Sequence, residues 1–203
     1  KFEEIYLPKS APNIYNLAIG KIKNINSILE FGCNNGVNLE YFMKRNKKLS
    51  TVGIDINPIA KELEKKFRQY KGYVSDENIL EKFDVNQFSL SFTSSVLDHI
   101  PDEKNVKNIL MNLSHISKFV ILNEPFLDGV VGDVSDKYRY QVKSGLVDRR
   151  KSFAKYSYFW NYDKYLEELS LNYEKIHNPL YSFSMGPYYY LYIINTKNFK
   201  NSR

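Results

Sequence analysis

The sequence predicts an α/β fold: a doubly wound, mostly parallel seven-stranded sheet with helices on both faces and an antiparallel last strand. Three observations carry this. Strand-like and helix-like segments alternate through the first 125 residues, the pattern of crossover units that build a parallel sheet. The segment KFVILN, 118–123, is a continuous apolar run of the kind found in a strand buried on both faces. The run YYYLYIINT, 188–196, supplies a late strand after the alternation has ended. With 203 residues, 43% of them apolar, the chain is long enough for one well-filled core and short for two. Residues 1–203 are therefore read as one domain.

The elements follow in order. Residues 12–23 (PNIYNLAIGKIK) read as a leading helix, 27–31 (SILEF) as the first strand, 36–46 as a helix and 50–55 (STVGID) as the second strand. Residues 58–70 (PIAKELEKKFRQY) read as a helix with Pro58 in its first turn. A third strand is expected at 71–75, then a short helix or loop over 76–83, and a fourth strand, FSLSFTS, at 88–94. Residues 102–116 place Val106, Ile109, Leu110, Leu113 and Ile116 at helical spacing, and 118–123 is the fifth strand. From Glu124 to about Trp160 the sequence has charge, glycine and aromatics without a sustained period, far beyond the roughly 4–6 residues of an ordinary loop. The 124–160 segment is read as a substrate-covering insertion or lid. Residues 161–170 return to helix, and 172–178 and 188–196 close the sheet as an edge hairpin.

Composition narrows the function. Lys and Arg outnumber Asp and Glu by 29 to 23, a net charge of +6 with pI near 9.1, which favours anionic partners. The charge is spread along the chain rather than blocked, so an ordinary basic surface is favoured over a nucleic-acid footprint. A single cysteine excludes an internal disulfide. No stretch approaches the ~20 apolar residues of a membrane span, and no charged-then-apolar signal pattern opens the chain, so no membrane partner and a cytoplasmic location are expected.

The first strand runs into ILEFGCNNGVNLEYF, 28–42, a glycine-bounded turn leading to a helix. Such a turn presents unpaired N–H groups and a helix dipole at the carboxyl edge of the sheet, where anions collect. A dinucleotide site needs Gly at the first, third and sixth positions of its turn, and here these hold Gly32, Asn34 and Val37. In a G-x-G-x-G register the positions are Gly32, Asn34 and Gly36, and Asn is among the few residues that tolerate a left-handed backbone.

Glu30-Phe31-Gly32-Cys33-Asn34-Asn35-Gly36 resembles the first motif of the class I S-adenosylmethionine-dependent methyltransferases, of the small-molecule type. Asp55 of VGIDIN stands where that family places the acidic residue that accepts from the ribose hydroxyls. SDEN, 75–78, corresponds to its contact with the adenine, and FSLSFTSSVLDHIPDE, 88–103, to its fourth strand and following turn. The resemblance covers about residues 25–125. It implies the Rossmann-like methyltransferase fold, S-adenosylmethionine as cofactor, and cofactor contacts from Glu30, Gly32, Cys33, Asn34, Gly36, Asp55, Ile56, Asp76, Glu77, Asn78 and Ser94.

Methyl transfer from a sulfonium needs the acceptor held in line and water excluded, and a hydroxyl acceptor gains from a base. His99, just past the fourth strand, carries an imidazole, the side chain most often used as a general base; its alternative is a structural partner of Asp98. Glu124 is a second acid/base candidate or the anchor of its turn, and Asp98 orients His99 or caps the next helix. Cys33 is read as a small filler beside the cofactor rather than a nucleophile. No metal is expected, because SSVLDH, 94–99, lacks the first carboxylate of a metal-binding E-x-x-E-H turn and no Cys/His set has zinc spacing. Tyr138, Tyr140, Arg149, Arg150 and Trp160 are read as substrate contacts, rings and guanidinium groups suited to a base, a sugar face or a phosphate; a lid stapled to the sheet is the alternative for the aromatics. The expected reaction is O-methylation of a small anionic metabolite, such as a sugar or nucleotide-linked intermediate. RNA or protein methylation is less favoured, and the RNA reading requires the basic residues to form one contiguous stripe. A non-catalytic cofactor-binding module is a further alternative.

Overall fold

A computed structural model of the chain describes residues 10–126, 132–133, 158–178 and 188–197. Its sheet has seven strands: β1 (Ser27–Phe31), β2 (Ser50–Asp55), β3 (Tyr70–Val74), β4 (Leu90–Ser94), β5 (Phe119–Phe126), β8 (Asn172–Asn178) and β9 (Tyr188–Asn195). A separate short pair joins β6 (Gly132–Asp133) to β7 (Tyr158–Phe159). The order across the sheet is β3-β2-β1-β4-β5-β9-β8. Neighbours from β3 to β5 run parallel, and β9 is antiparallel to both β5 and β8. The expected closing hairpin is therefore present, with its second strand inserted beside β5.

Both faces are buried, which is why the strands read as apolar runs. Ile28, Leu90, Phe92 and Ile121 pack with Ile14, Ala18, Leu39, Phe42 and Met43 of helices α1 (Ser10–Lys21) and α2 (Val37–Arg45). Leu29, Val52, Val120 and Leu122 point the other way, onto helix α3 (Glu103–Ile116) and helix α4 (Tyr162–Glu168). The five apolar residues expected at helical spacing in α3 are all buried, each stabilising by about 1.5–3 kcal/mol relative to exposure. Asp102 starts that helix by accepting the Lys104 N–H at 2.7 Å.

One element departs from expectation. Pro58–Lys65 is a 3-10 helix rather than an α-helix reaching residue 70. Asn57 caps it by accepting the Ile59 N–H. The Tyr70 hydroxyl donates to the Ala60 carbonyl, and a Cβ on Gly72 would lie 2.5 Å from that same oxygen. The segment is thus pressed against β3 and anchored by a side chain outside it, which favours the tighter turn. The fifth strand also runs three residues further than the apolar pattern suggested, to Phe126, because its partner β9 pairs with it along the whole length. The parallel strands β1, β2, β4 and β5 deliver their carboxyl ends to one edge, where every candidate described below is found.

Candidate active site

The turn after β1 is left-handed at three alternate positions: Gly32 (φ 76°), Asn34 (φ 46°) and Gly36 (φ 72°). Two of them require glycine for space as well. A Cβ on Gly32 would lie 2.2 Å from Val96 Cγ2, and one on Gly36 would lie 2.3 Å from Leu63 Cδ1. Asn34 is exposed, so its side chain has room and only the backbone conformation matters. The turn is pinned to the neighbouring strand by N–H groups of Gly32 and Cys33 that both donate to the Ile54 carbonyl, at 2.8 and 3.0 Å.

Asp55 ends β2 beside this turn. Its Oδ2 accepts the Asn34 N–H at 2.7 Å, and its Oδ1 accepts the Asn57 N–H at 2.8 Å. A carboxylate oxygen has a second acceptor direction, so both oxygens retain capacity for a diol. Ile56 follows with its side chain 78% exposed, an apolar surface at the mouth that a flat heterocycle would cover. Asp76 and Asn78 are exposed across from it and Glu77 is half-buried. Asp76 Oδ1 accepts both the backbone and the side-chain N–H of Asn78 at 3.1 Å, which caps the 3-10 segment Glu77–Lys82.

Beneath the turn, Glu30 is buried. Its Oε1 accepts from the Asn38 amide at 2.6 Å, while its Oε2 has no hydrogen-bond partner among the described residues. Burial, reinforced by the charge of Asp55, pushes its carboxyl up to about 8. An orphaned buried acceptor under a left-handed cradle fits the ammonium group of an amino-acid moiety. Cys33 is buried beneath the turn. Its thiol points into the core, 3.8 Å from the Tyr70 hydroxyl, and burial pushes its pKa well above the usual thiol range. It fills space under the turn, leaving only its backbone at the surface that faces a ligand.

The second half of the mouth is built by β4 and β5. Glu124 is buried, and its Oε2 accepts the N–H groups of Val96 at 3.0 Å and Leu97 at 3.1 Å. These hold the turn Leu97–His99, whose approach requires a left-handed backbone at Ser95 (φ 54°). Ser94 accepts from the Asn123 amide at 2.8 Å, which ties the ends of β4 and β5 together. Asp98 is also buried, and burial raises its carboxyl to about 6 against the opposing charge of His99, while burial together with the charge of Asp98 raises the Glu124 carboxyl to about 8. His99, by contrast, has a side chain 58% exposed, with Nε2 3.9 Å from Asp98 Oδ1. The imidazole therefore stands at the rim with a carboxylate behind it. Trp160 is buried and donates from Nε1 to the Leu97 carbonyl at 3.0 Å, stacking on Tyr158 at 5.9 Å between ring centroids. It staples the end of the 124–160 segment to the mouth.

Thus Gly32, Asn34, Gly36, Asp55 and Ile56 gather on one side of the edge, and Ser94, Asp98, His99 and Glu124 on the other. Tyr138, Tyr140, Arg149 and Arg150 lie outside the described residues. Among the described residues no group of three His, Cys, Asp or Glu gathers as a metal site. Sequence reasoning missed Val96, which fills the space that Gly32 leaves empty, and Tyr162, whose buried hydroxyl has no hydrogen-bond partner and is held protonated by burial and by Glu124 and Asp98. No local pattern marks either one, because each acquires its role from a distant neighbour.

Comparison with known proteins agrees with this geometry. Residues 29–118 match the family model described as a methyltransferase domain. No curated protein matches the chain by sequence. Among solved structures, an O-methyltransferase family protein of Burkholderia thailandensis is similar at 9% identity and TM-score 0.61, with 92% of this chain covering 56% of that one. The 1,6-didemethyltoxoflavin-N1-methyltransferase of the same organism, with S-adenosylhomocysteine bound, is similar at 12% identity and TM-score 0.64, covering 92% of this chain and 76% of that one. A SAM-dependent methyltransferase from Archaeoglobus fulgidus gives 16% identity and TM-score 0.63, covering 92% of each. At these identities the structural likeness establishes the fold, and this chain spans little more than half the length of the first of them. Residues 29–118 match a methyltransferase domain, and the strand order and left-handed turn give the chain the Rossmann-like fold of S-adenosylmethionine-dependent methyltransferases.

Proposed function

We propose that the protein methylates a hydroxyl of a small metabolite, with His99 as the base. The observation that carries this reading is the position of His99, half-exposed at the rim that also holds the Gly32–Gly36 turn, with the buried carboxyl of Asp98 behind its ring. When bound, S-adenosylmethionine supplies an electrophilic methyl on its sulfonium. Glu30, Asp55 and the turn would hold its amino-acid and ribose ends, and Ile56 would cover the adenine. His99 takes the hydroxyl proton as the acceptor oxygen attacks, and Asp98 steadies the imidazolium that results. Glu124 acts through the backbone of Val96 and Leu97, so it is a positioning residue.

The whole chain, 1–203, is read as one methyltransferase domain, with 124–160 covering the acceptor and Trp160 fixing its end. The reading of an anionic acceptor, a sugar or nucleotide-linked intermediate, draws on Tyr138, Tyr140, Arg149 and Arg150 as they stand in the sequence. A cytoplasmic location accords with the absence, among described residues, of any helix long and apolar enough to cross a membrane. A second reading, transfer to an amine, draws support from the solvent-accessible carboxylates Asp55 and Asp76, which attract a cation.

The test is a titration with S-adenosylhomocysteine followed by a labelled-methyl assay over a panel of hydroxyl and amine metabolites. Uptake into hydroxyl compounds is expected, with kcat lost in His99→Ala and cofactor affinity kept. Uptake only with RNA, DNA or polypeptide would overturn the reading.

A further inference from the structure

The positive charge that looks dispersed along the sequence is gathered by the fold. The connections that enter the strands at their amino ends, together with the segment that leaves β9 at the same edge, carry Lys23, Lys47, Lys48, Lys66, Arg68, Lys118 and Lys197, all exposed. Asp84 is the one carboxylate among the same described residues. The connections that leave β1 to β4 on the opposite edge carry no Lys or Arg, and hold Asp76, Asp98 and Asp102. The sheet therefore separates the charges, with acid at the mouth and base behind it.

The basic residues follow the strand order from β3 through β2, β1 and β5 to β9. At about 4.8 Å per strand interval, that row extends roughly 24 Å, longer than the phosphates of a single nucleotide can reach. Near its middle is a cleft of about 410 Å³ lined by Lys21, Lys23, Lys118 and Lys197 with Asn24 and Ser89. Lys21 is paired with Glu174 at 3.0 Å. Its other three lysines make no ion pair with a described residue. A second cleft of about 200 Å³ adjoins it, sharing Ile22 and Asn24, and is lined by Tyr15, Ile19, Phe42 and Asn46. Beside that cleft, Tyr15 meets Tyr41 edge-on at 5.6 Å, and the Arg45 guanidinium lies 3.3 Å from the Tyr41 ring centroid.

A cationic row interrupted by a cleft of aliphatic and amide side chains with the half-buried ring of Tyr15 suits single-stranded nucleic acid, cations tracking the phosphates and the ring receiving a base. We propose that the amino edge of the sheet is a sequence-tolerant docking face for single-stranded nucleic acid. It faces away from the donor turn, so the docked strand is an anchor, separate from the acceptor in the mouth. A membrane surface is the poorer fit, since the lysines line clefts.

The experiment measures anisotropy of a labelled single-stranded RNA of about 12 nucleotides, within the site sizes of such faces. Binding is expected to weaken roughly fifty-fold between about 50 and 200 mM salt if four phosphates are neutralised. The double substitution Lys118→Glu with Lys197→Glu should weaken it more than tenfold, as should Tyr15→Ala to a smaller degree. Lys104→Glu, on the mouth side, should leave it unchanged. Titration with S-adenosylhomocysteine, unaltered in all of these variants, shows that each has folded and keeps this test separate from the proposed methyl transfer. The proposal is overturned by absence of RNA binding, by salt-independent binding, or by equal loss in Lys104→Glu. It is also overturned if tripolyphosphate alone binds as tightly through the same lysines, or if phosphatidylserine vesicles bind and RNA does not.

Discussion

The backbone N–H of Asn34 donates to the carboxylate of Asp55 at 2.7 Å, joining the turn after β1 to the end of β2. Asp55 therefore shapes the turn as well as being the proposed ribose contact. Asp55→Ala is expected to lower affinity for S-adenosylhomocysteine more than tenfold by calorimetry, and to reduce stability by about 1 kcal/mol, since the freed N–H groups are accessible to water. Asp55→Asn keeps an acceptor for one N–H and should lose affinity with a smaller loss of stability.

Gly32 and Asn34 share a left-handed backbone but differ in surroundings, which separates their substitutions. Gly32→Ala adds a methyl 2.2 Å from Val96, so the turn must shift, and cofactor affinity is expected to fall sharply. Asn34→Gly keeps the path and should leave both affinity and stability within about 1 kcal/mol. Asn34→Val imposes a branched side chain on the left-handed conformation and should destabilise by about 1–2 kcal/mol in denaturant unfolding.

Glu124 offers a comparison between charge and acceptor. Glu124→Gln retains a carbonyl oxygen for the N–H groups of Val96 and Leu97, and is expected to keep stability at neutral pH or raise it. Glu124→Ala leaves both buried N–H groups without an acceptor, at about 2–4 kcal/mol. Equal behaviour of the two variants in thermal unfolding would remove the positioning role assigned to this side chain.

Glu30, Asp98 and Glu124 all have carboxyls raised by burial. Between the unfolded value of 4.5 and the folded value of about 8 for Glu30, the native state holds more protons than the unfolded one. Stability consequently falls as pH rises through that window. A Tm lower by about 5 °C or more is expected at about pH 8.5 than at about pH 5.5, with a shallower fall in Glu124→Gln. Calorimetry in buffers of different ionisation enthalpy adds a second check: binding of the cofactor's ammonium beside Glu30 should release a proton near neutral pH.

The alternation of segments was enough to read the layers of this fold, because parallel strands buried on two faces leave apolar runs that survive in one dimension. The bounds of β1, β2 and β8 follow the sequence pattern closely. The donor turn was legible for a similar reason: Gly32, Asn34 and Gly36 are adjacent in the chain, and the left-handed backbone they share is a local property. The segment after Pro58 was misread as α-helical because the groups that tighten it, Tyr70 and Gly72, belong to the next strand. The Val96 contact with Gly32 and the Glu124 anchor were hidden likewise, since each joins residues tens of positions apart. The basic row was hidden most completely, as its members come from five different segments.

Trp160 is the chain's single tryptophan, and its indole N–H is bound to the Leu97 carbonyl in the turn that carries His99. The protein thus contains its own optical reporter at the joint between the end of β7 and the turn after β4. Excited selectively, that one indole will shift its emission when the joint loosens or tightens, so occupancy of the mouth can be followed without a label.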